Sequence, residues 1–304
     1  MQLTVEEMDA VLLANIDILK NDDDAVALTF DVDDEGEILG LVLIHKNPTS
    51  KSLKAFNSIK TIGELQALPL RVEYGESPKQ EITTIDSKPL YAESLLSGNQ
   101  GLSGTKVCEG GYCGTLCLSG SNISLTHKSP ITHQSTTIKT DNHFLFSNAH
   151  VFHHAGGIVE KNDGTVIGNV VDVFDLDANT TFDGGVADAT SSVPRRNAFK
   201  VFKPTGNLEI VGLLTAKPGM PIAILGANSG WQEGKVGMPI ITDIDVTKGY
   251  YPSWTATYSS KGGDSGSPVL TKDSNGKWHL VGIHFASGPR FHSWNNVEIS
   301  VSEN

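Results

Sequence analysis

Positive charge is scarce in this sequence. Lys and Arg number 23 against 35 Asp and Glu, a formal net charge of −12 over 304 residues. That excludes the basic stripe a nucleic-acid footprint needs and disfavours an anionic membrane surface. No apolar run approaches the roughly 18 residues of a membrane-spanning helix. The N-terminal stretch MQLTVEEMDAVLLANIDILK has no basic segment ahead of an apolar one, and Glu6, Glu7 and Asp9 interrupt it. It is no secretory signal, and a cytoplasmic protein is expected. Cysteine is scarce too: Cys108, Cys113 and Cys117 all fall within VCEGGYCGTLCLSG. An odd number in such a chain is a poor basis for a disulfide framework, and the spacing is not that of paired C-x-x-C zinc knuckles. The three are expected as small buried apolar residues, with an oxidative disulfide and metal ligation as the alternatives. No metal and no cofactor is expected.

What the chain has is turn chemistry. Thirty-one glycines and thirteen prolines occur with no fixed period, 38% of residues are hydrophobic, and a sizeable core is affordable to a chain of this length. Residues 1–100 read as a small α+β domain. Met8, Val11, Leu12, Ile16 and Leu19 recur near helical spacing behind a Thr4/Glu7 capping box. AVALTFDV and ILGLVLIHK flank DDEGE as a hairpin, a second helix is expected in SLKAFNSIKTIGELQAL, and LPLRVEYGE reads as a further strand. SLLSGNQGLSGTK is a Gly/Ser-rich linker. From residue 101 short apolar runs alternate with Gly, Asn, Asp and Ser clusters, and no long helix is evident. The span 101–304 suits two small β-barrels, divided near residue 200.

The chemistry concentrates in KGGDSGSPVL. A serine hydroxyl is a weak nucleophile without a base. Here Ser265 sits on a G-D-S-G turn that projects the hydroxyl and aims the backbone N–H groups of Gly263 and Ser265 at a developing oxyanion. The base is expected to be His150, at the end of the apolar strand in HFLFSNAHVF, with His153 and His154 as nearby competitors. A third group must orient the imidazole. Asp172, Asp175, Asp177, Asp183 and Asp188 lie between His150 and Ser265. Asp188, opening a small-residue and apolar run in GGVADATSSV, is the expected acid; Asp183 in TFDGG reads as a turn residue, and Asp172 and Asp175 as solvent-facing.

The order His, Asp, Ser is that of the chymotrypsin-fold serine peptidases. SNAHV resembles their T/S-x-A-H motif, GGDSGSPV their G-D-S-G-G-P, and LVGIHFASG the substrate-lining strand after the nucleophile. A narrower resemblance is to a bacterial group related to the plant narrow-leaf trypsin-like proteins, through YCGTLCL, SNAHV, ADAT, PGMPIAILG and GDSGSP. The resemblance implies a mainly β fold of two six-stranded antiparallel barrels. His150 and Asp188 would belong to the first barrel (101–200) and Ser265 to the second (201–304), behind the N-terminal domain (1–100). It implies a serine endopeptidase acting on protein or peptide substrates. In this family the residue six before the nucleophile floors the primary pocket. Here that is Ser259, with Phe285 and Ala286 along the wall, so a neutral P1 residue rather than Lys or Arg is expected. Ser267 stands where animal trypsins have Gly, and no R/K-I-V-G-G activation site precedes the barrels. Asp264 therefore lacks the freed N-terminus that pairs with its counterpart in the animal enzymes, and must find another partner or cap backbone N–H groups. A catalytically silent binding scaffold and an esterase with the same triad are the alternatives. Residues 1–100 are expected to be regulatory, inhibitory or partner-binding.

Overall fold

The structure, a computed structural model, describes residues 3–20, 22, 24–33, 35, 37–47, 69–76, 83–84, 103–174, 181–193, 200–203, 206–244 and 249–301. The second helix expected in 52–68, residues 94–102 of the linker, and Asp175 and Asp177 lie outside these residues.

The N-terminal part holds α1 (Val5–Ala14), α2 (Asp17–Lys20), β1 (Ala25–Val32), β2 (Ile38–His45), β3 (Leu70–Tyr74) and β4 (Thr83–Thr84). The capping box is formed: the Glu7 N–H donates to Thr4 Oγ1 and the Thr4 N–H to Glu7 Oε2. The hairpin is β1–β2, with Leu28 opposite Leu43. The middle of the chain gives β5 (Lys106–Glu109), β6 (Tyr112–Thr115), β7 (Leu118–Lys128), β8 (Ser135–Ser147), the one-turn α3 (Ala149–Phe152), β9 (Ile158–Glu160), β10 (Val166–Val173) and β11 (Gly185–Ala189). The last third gives β12 (Lys200–Lys203), β13 (Gly206–Leu213), β14 (Pro221–Gly226), β15 (Gly230–Ile244), β16 (Gly249–Ala256), β17 (Pro268–Lys272), β18 (Trp278–Ala286), β19 (Arg290–Ser293) and β20 (Val297–Val301). Among the described residues no helix is long and apolar enough to cross a membrane.

The expected mainly β fold is present. Strands β14, β15, β16, β19, β18 and β17 pair in a ring, each antiparallel to the next, and β17 returns to β14. This six-stranded barrel closes its own edges. Ile222, Ile224, Trp254, Val269, Val281 and Phe291 fill part of its core. The second sheet runs β20-β7-β8-β11-β10-β9-β5-β6-β4. Two features cross the expected divisions. β1 pairs with β15, so β1–β3 extend the sheet of the C-terminal barrel, and α1 packs over Ile241 of β15. The chain end, β20, returns to pair with β7 in the other sheet.

All three cysteines are fully buried, as expected, and two of them take the disulfide alternative. Cys108 and Cys113 form a disulfide, and only Cys117 is a free buried thiol. The cause is local. Gly110 and Gly111, at φ 56° and 91°, make the two-residue turn joining β5 to β6. Positive φ at both turn positions suits the twist of a tight hairpin. That register sets Cys108 directly across from Cys113, with Cα atoms 4.0 Å apart.

Candidate active site

Strand β8 delivers His150, the candidate base. It ends at Ser147, whose hydroxyl donates to the Thr115 carbonyl at 2.8 Å; Asn148 then turns the chain into α3 and donates from Nδ2 to the Asp183 carbonyl at 2.8 Å. His150 follows, with its side chain 7% exposed. Its backbone N–H donates to Asp183 Oδ1 at 3.1 Å, and its ring Nδ1 hydrogen-bonds Asp183 Oδ2. A neutral ring that donates from Nδ1 carries its lone pair on Nε2. That Nε2 is buried and has no hydrogen-bond partner among the described residues.

Asp183, not Asp188, is therefore the carboxylate behind His150. Asp183 precedes β11 by two residues, at the strand end under α3, and is fully buried. Burial acts to raise its pKa, but the charge and hydrogen bonds of His150, with a smaller effect of His292, hold it below the ordinary carboxylate value. Asp188 lies five residues farther along β11, opposite Phe144. It accepts from Thr140 Oγ1 at 2.6 Å and Asn142 Nδ2 at 2.7 Å and is half-exposed. Asp172 is exposed, as expected. The sequence does carry a signal for Asp183. Two glycines follow it, so the chain can turn sharply and tuck the carboxylate beneath a neighbouring backbone. The competing histidines are engaged elsewhere: His153 packs on Tyr112 at 4.6 Å, and His154, 71% exposed, lies 3.7 Å from Glu109.

The loop that carries Ser265, the candidate nucleophile, comes from the other sheet, between β16 and β17. Thr115 of β6 joins the two. Its N–H donates to the Ser265 carbonyl at 2.6 Å and its hydroxyl to the Gly263 carbonyl at 2.8 Å. Gly114 touches both partners: a Cβ there would overlap Val151 of α3 and come within 2.6 Å of the Ser265 carbonyl oxygen. Gly266, at φ 94°, packs so tightly that a Cβ would overlap the Thr115 carbonyl and the Ser147 hydroxyl. Thus β6 brings the His150 helix and the Ser265 loop to one place from elements over 100 residues apart. The Ser265 hydroxyl donates to the Phe285 carbonyl at 3.0 Å. To be deprotonated by His150 it must exchange that acceptor for Nε2.

Of the residues expected to form the primary pocket, Ser259, its expected floor, is exposed, while Phe285 and Ala286, its expected wall, are fully buried. Phe285 presents its carbonyl to Ser265, and its ring stacks on His292 at 4.1 Å. Behind Ser259, the Tyr258 hydroxyl meets His284 Nδ1 at 3.0 Å. Nothing in the sequence singles out His292. Its Nδ1 meets the Pro252 carbonyl at 3.2 Å, leaving Nε2 buried without a partner among the described residues. Burial depresses both His292 and nearby His127 to about 4. With Asp9 and Ser253 they line a cavity of about 20 Å³, room for one water. Asp9 is pushed up to about 6 by burial and then by Glu6, against a hydrogen bond from Asn295.

One group of potential metal ligands exists among the described residues, Asp22, Asp24 and His45, far along the chain from this site. Both His45 nitrogens are already used, Nδ1 by the Asn47 N–H and Nε2 by Asp22.

No family model matches the sequence, and no curated protein matches it. Solved structures do resemble the fold. Thermobifida fusca protease A has a TM-score of 0.45 at 17% identity, over 66% of this chain and 99% of that one. Nocardiopsis protease has a TM-score of 0.47 at 15% identity, over 66% and 99%. A glutamic acid-specific serine protease has a TM-score of 0.47 at 16% identity, over 63% and 92%.

Proposed function

We propose that this chain is a serine endopeptidase. The observation that carries the reading is the buried His150–Asp183 pair, with an unpartnered Nε2, joined through β6 to a closely packed serine loop. In this mechanism Ser265 Oγ attacks the scissile carbonyl as its proton passes to His150 Nε2. Asp183 fixes the tautomer and stabilises the imidazolium. The N–H groups of Gly263 and Ser265 hold the oxyanion. Collapse of the tetrahedral intermediate breaks the C–N bond, and the leaving amine takes the proton from His150. Water then attacks the acyl-enzyme by the same route, restoring Ser265 and releasing the acid.

The substrate is a polypeptide, cleaved after residues other than Lys or Arg. No carboxylate stands at Ser259. For residues 1–100 we propose a structural role over an inhibitory one. β1 hydrogen-bonds β15, and Met8, Leu12, Leu28 and Leu41 bury one core with Ile241. Removing them would strip a covered sheet edge.

The test is covalent. A fluorophosphonate probe should label Ser265, and labelling should vanish in His150→Ala. Turnover of a peptide substrate should fall roughly 10⁶-fold in Ser265→Ala. Peptide hydrolysis within tenfold of wild type in that variant would sink the assignment. Hydrolysis of esters without any peptide cleavage would move it to the esterase alternative.

A further inference from the structure

The carboxylate next to the nucleophile poses a physical problem. Asp264 is fully buried, and a buried carboxylate without compensation is very costly. Among the described residues no Lys, Arg or His forms an ion pair with it. Its compensation is backbone. Oδ1 accepts from the N–H groups of Asn228 at 3.0 Å and Ser229 at 3.1 Å, and Oδ2 accepts from the Lys261 N–H at 2.8 Å. Successive N–H groups converging in a turn make an anion-binding concavity. The turn is pressed close, since a Cβ on Gly226 would overlap the Asp264 carboxyl.

The same turn orients the peptide groups of the nucleophile loop. Asn228 Nδ2 donates to the Gly262 carbonyl at 2.6 Å. All described peptide bonds are trans, and in a trans peptide the N–H points opposite to its C=O. With the Gly262 carbonyl drawn to Asn228, the Gly263 N–H faces the other way. The Asp264 carbonyl is held likewise, by the Ser267 N–H at 2.9 Å and the Ser267 hydroxyl at 2.5 Å. That directs the Ser265 N–H away from Ser267. The two N–H groups assigned to the oxyanion are thus each set by a hydrogen bond to the carbonyl of their own peptide unit. One of those bonds comes from Asn228. The other is framed by Asp264, which the 226–229 turn holds in place.

We propose that the 226–229 turn is a built-in receptor for Asp264 and for the Gly262 carbonyl. It presets the oxyanion hole in the uncut chain, with Asn228 and Asp264 as positioning residues, and no chain terminus is needed as counter-charge. The inference rests on the serine-peptidase reading. It adds that the site needs no proteolytic activation, and that Ser267, at a position where animal trypsins have Gly, supplies part of the frame.

The experiment separates the two claims. The full-length protein is treated with a fluorophosphonate before and after limited cleavage by added trypsin, and intact masses are read. The expected result is one adduct on the uncut chain, located to Ser265. Labelling only after cleavage overturns the inference and leaves the peptidase reading standing. No labelling in either state, in protein whose circular dichroism shows it folded, overturns the reading and the inference with it. Asn228→Asp tests the positioning role, because it exchanges the donor for an oxygen facing the Gly262 carbonyl. Losing one oxyanion donor costs about 10²-fold or more in kcat, so kcat should fall by about that factor. Affinity for a peptide aldehyde should fall in parallel, while KM moves little. A folded variant with wild-type kcat and aldehyde affinity refutes the role. Asn228→Ala, which removes the donor without adding charge, gives the same readout should the aspartate variant not fold.

Discussion

Lowering the pH from 7 to 4 should destabilise this protein through two buried histidines, with a buried aspartate opposing them. His127 and His292 are each 1% exposed and are depressed from an ordinary 6.5 to about 4. Between those values the unfolded chain binds two protons that the folded chain refuses, so stability falls as pH falls. At roughly 1.4 kcal/mol per tenfold change in proton affinity, each histidine contributes about 3 kcal/mol at pH 7 that is gone below pH 4. Asp9 opposes them. Its folded pKa is raised from 3.8 to about 6, so the folded state binds the extra proton and about 3 kcal/mol returns over the same window. Asp183 is held below the ordinary carboxylate value, and its contribution is lost only at still lower pH. Near pH 5 the three groups leave a net uptake of about one proton on unfolding, a slope of roughly 1.4 kcal/mol per pH unit. Urea unfolding at several pH values, in a Ser265→Ala background to prevent self-digestion, measures it. His292→Phe keeps the stack on Phe285 and removes one titrating group. It should bring the local slope near zero, whereas Asp9→Asn should about double it. An unchanged slope in both variants would refute this assignment of the buried protons.

The triad correction is tested by a pair of substitutions. Asp183→Asn should cut kcat by about 10⁴, by loss of the correct imidazole tautomer. Asp188→Asn should leave kcat within a few fold and cost about 1 kcal/mol of stability, through its bonds to Thr140 and Asn142. The reverse ranking would restore Asp188. The Cys108–Cys113 bridge closes a loop with a sequence separation of only 5, so loop-closure entropy predicts that reduction lowers stability by about 2 kcal/mol. Thermal denaturation of Cys108→Ser, with and without dithiothreitol, checks this; a loss that depends on reductant in the variant would point elsewhere.

Periodicity and turn chemistry made much of the architecture legible. The α1 capping box, the β1–β2 hairpin and the run of short strands after residue 101 are encoded by neighbours in sequence, where local hydrogen bonding and side-chain alternation act. Ser265 and His150 stand out as candidates because a glycine-framed serine and a strand-end histidine are local patterns. The carboxylate that pairs with His150 does not, because burial is a property of the assembled fold. Asp183 looks like a turn residue until α3 lies over it, and Asp188 looks buried until Thr140 and Asn142 of β8 claim its carboxylate. The disulfide depended on hairpin register, which the two glycines of the turn decide and cysteine counting does not.

By itself the sequence determined a mainly β chain with a serine loop, a histidine in the right order, and an aspartate beside the serine whose partner was missing. Only the tertiary structure decided which aspartate serves His150 and what satisfies Asp264. Both answers are backbone geometry. The N–H of His150 and those of Asn228, Ser229 and Lys261 carry no residue-specific signature, since every residue but proline has one. Folding alone determines which of them converge on a buried carboxylate.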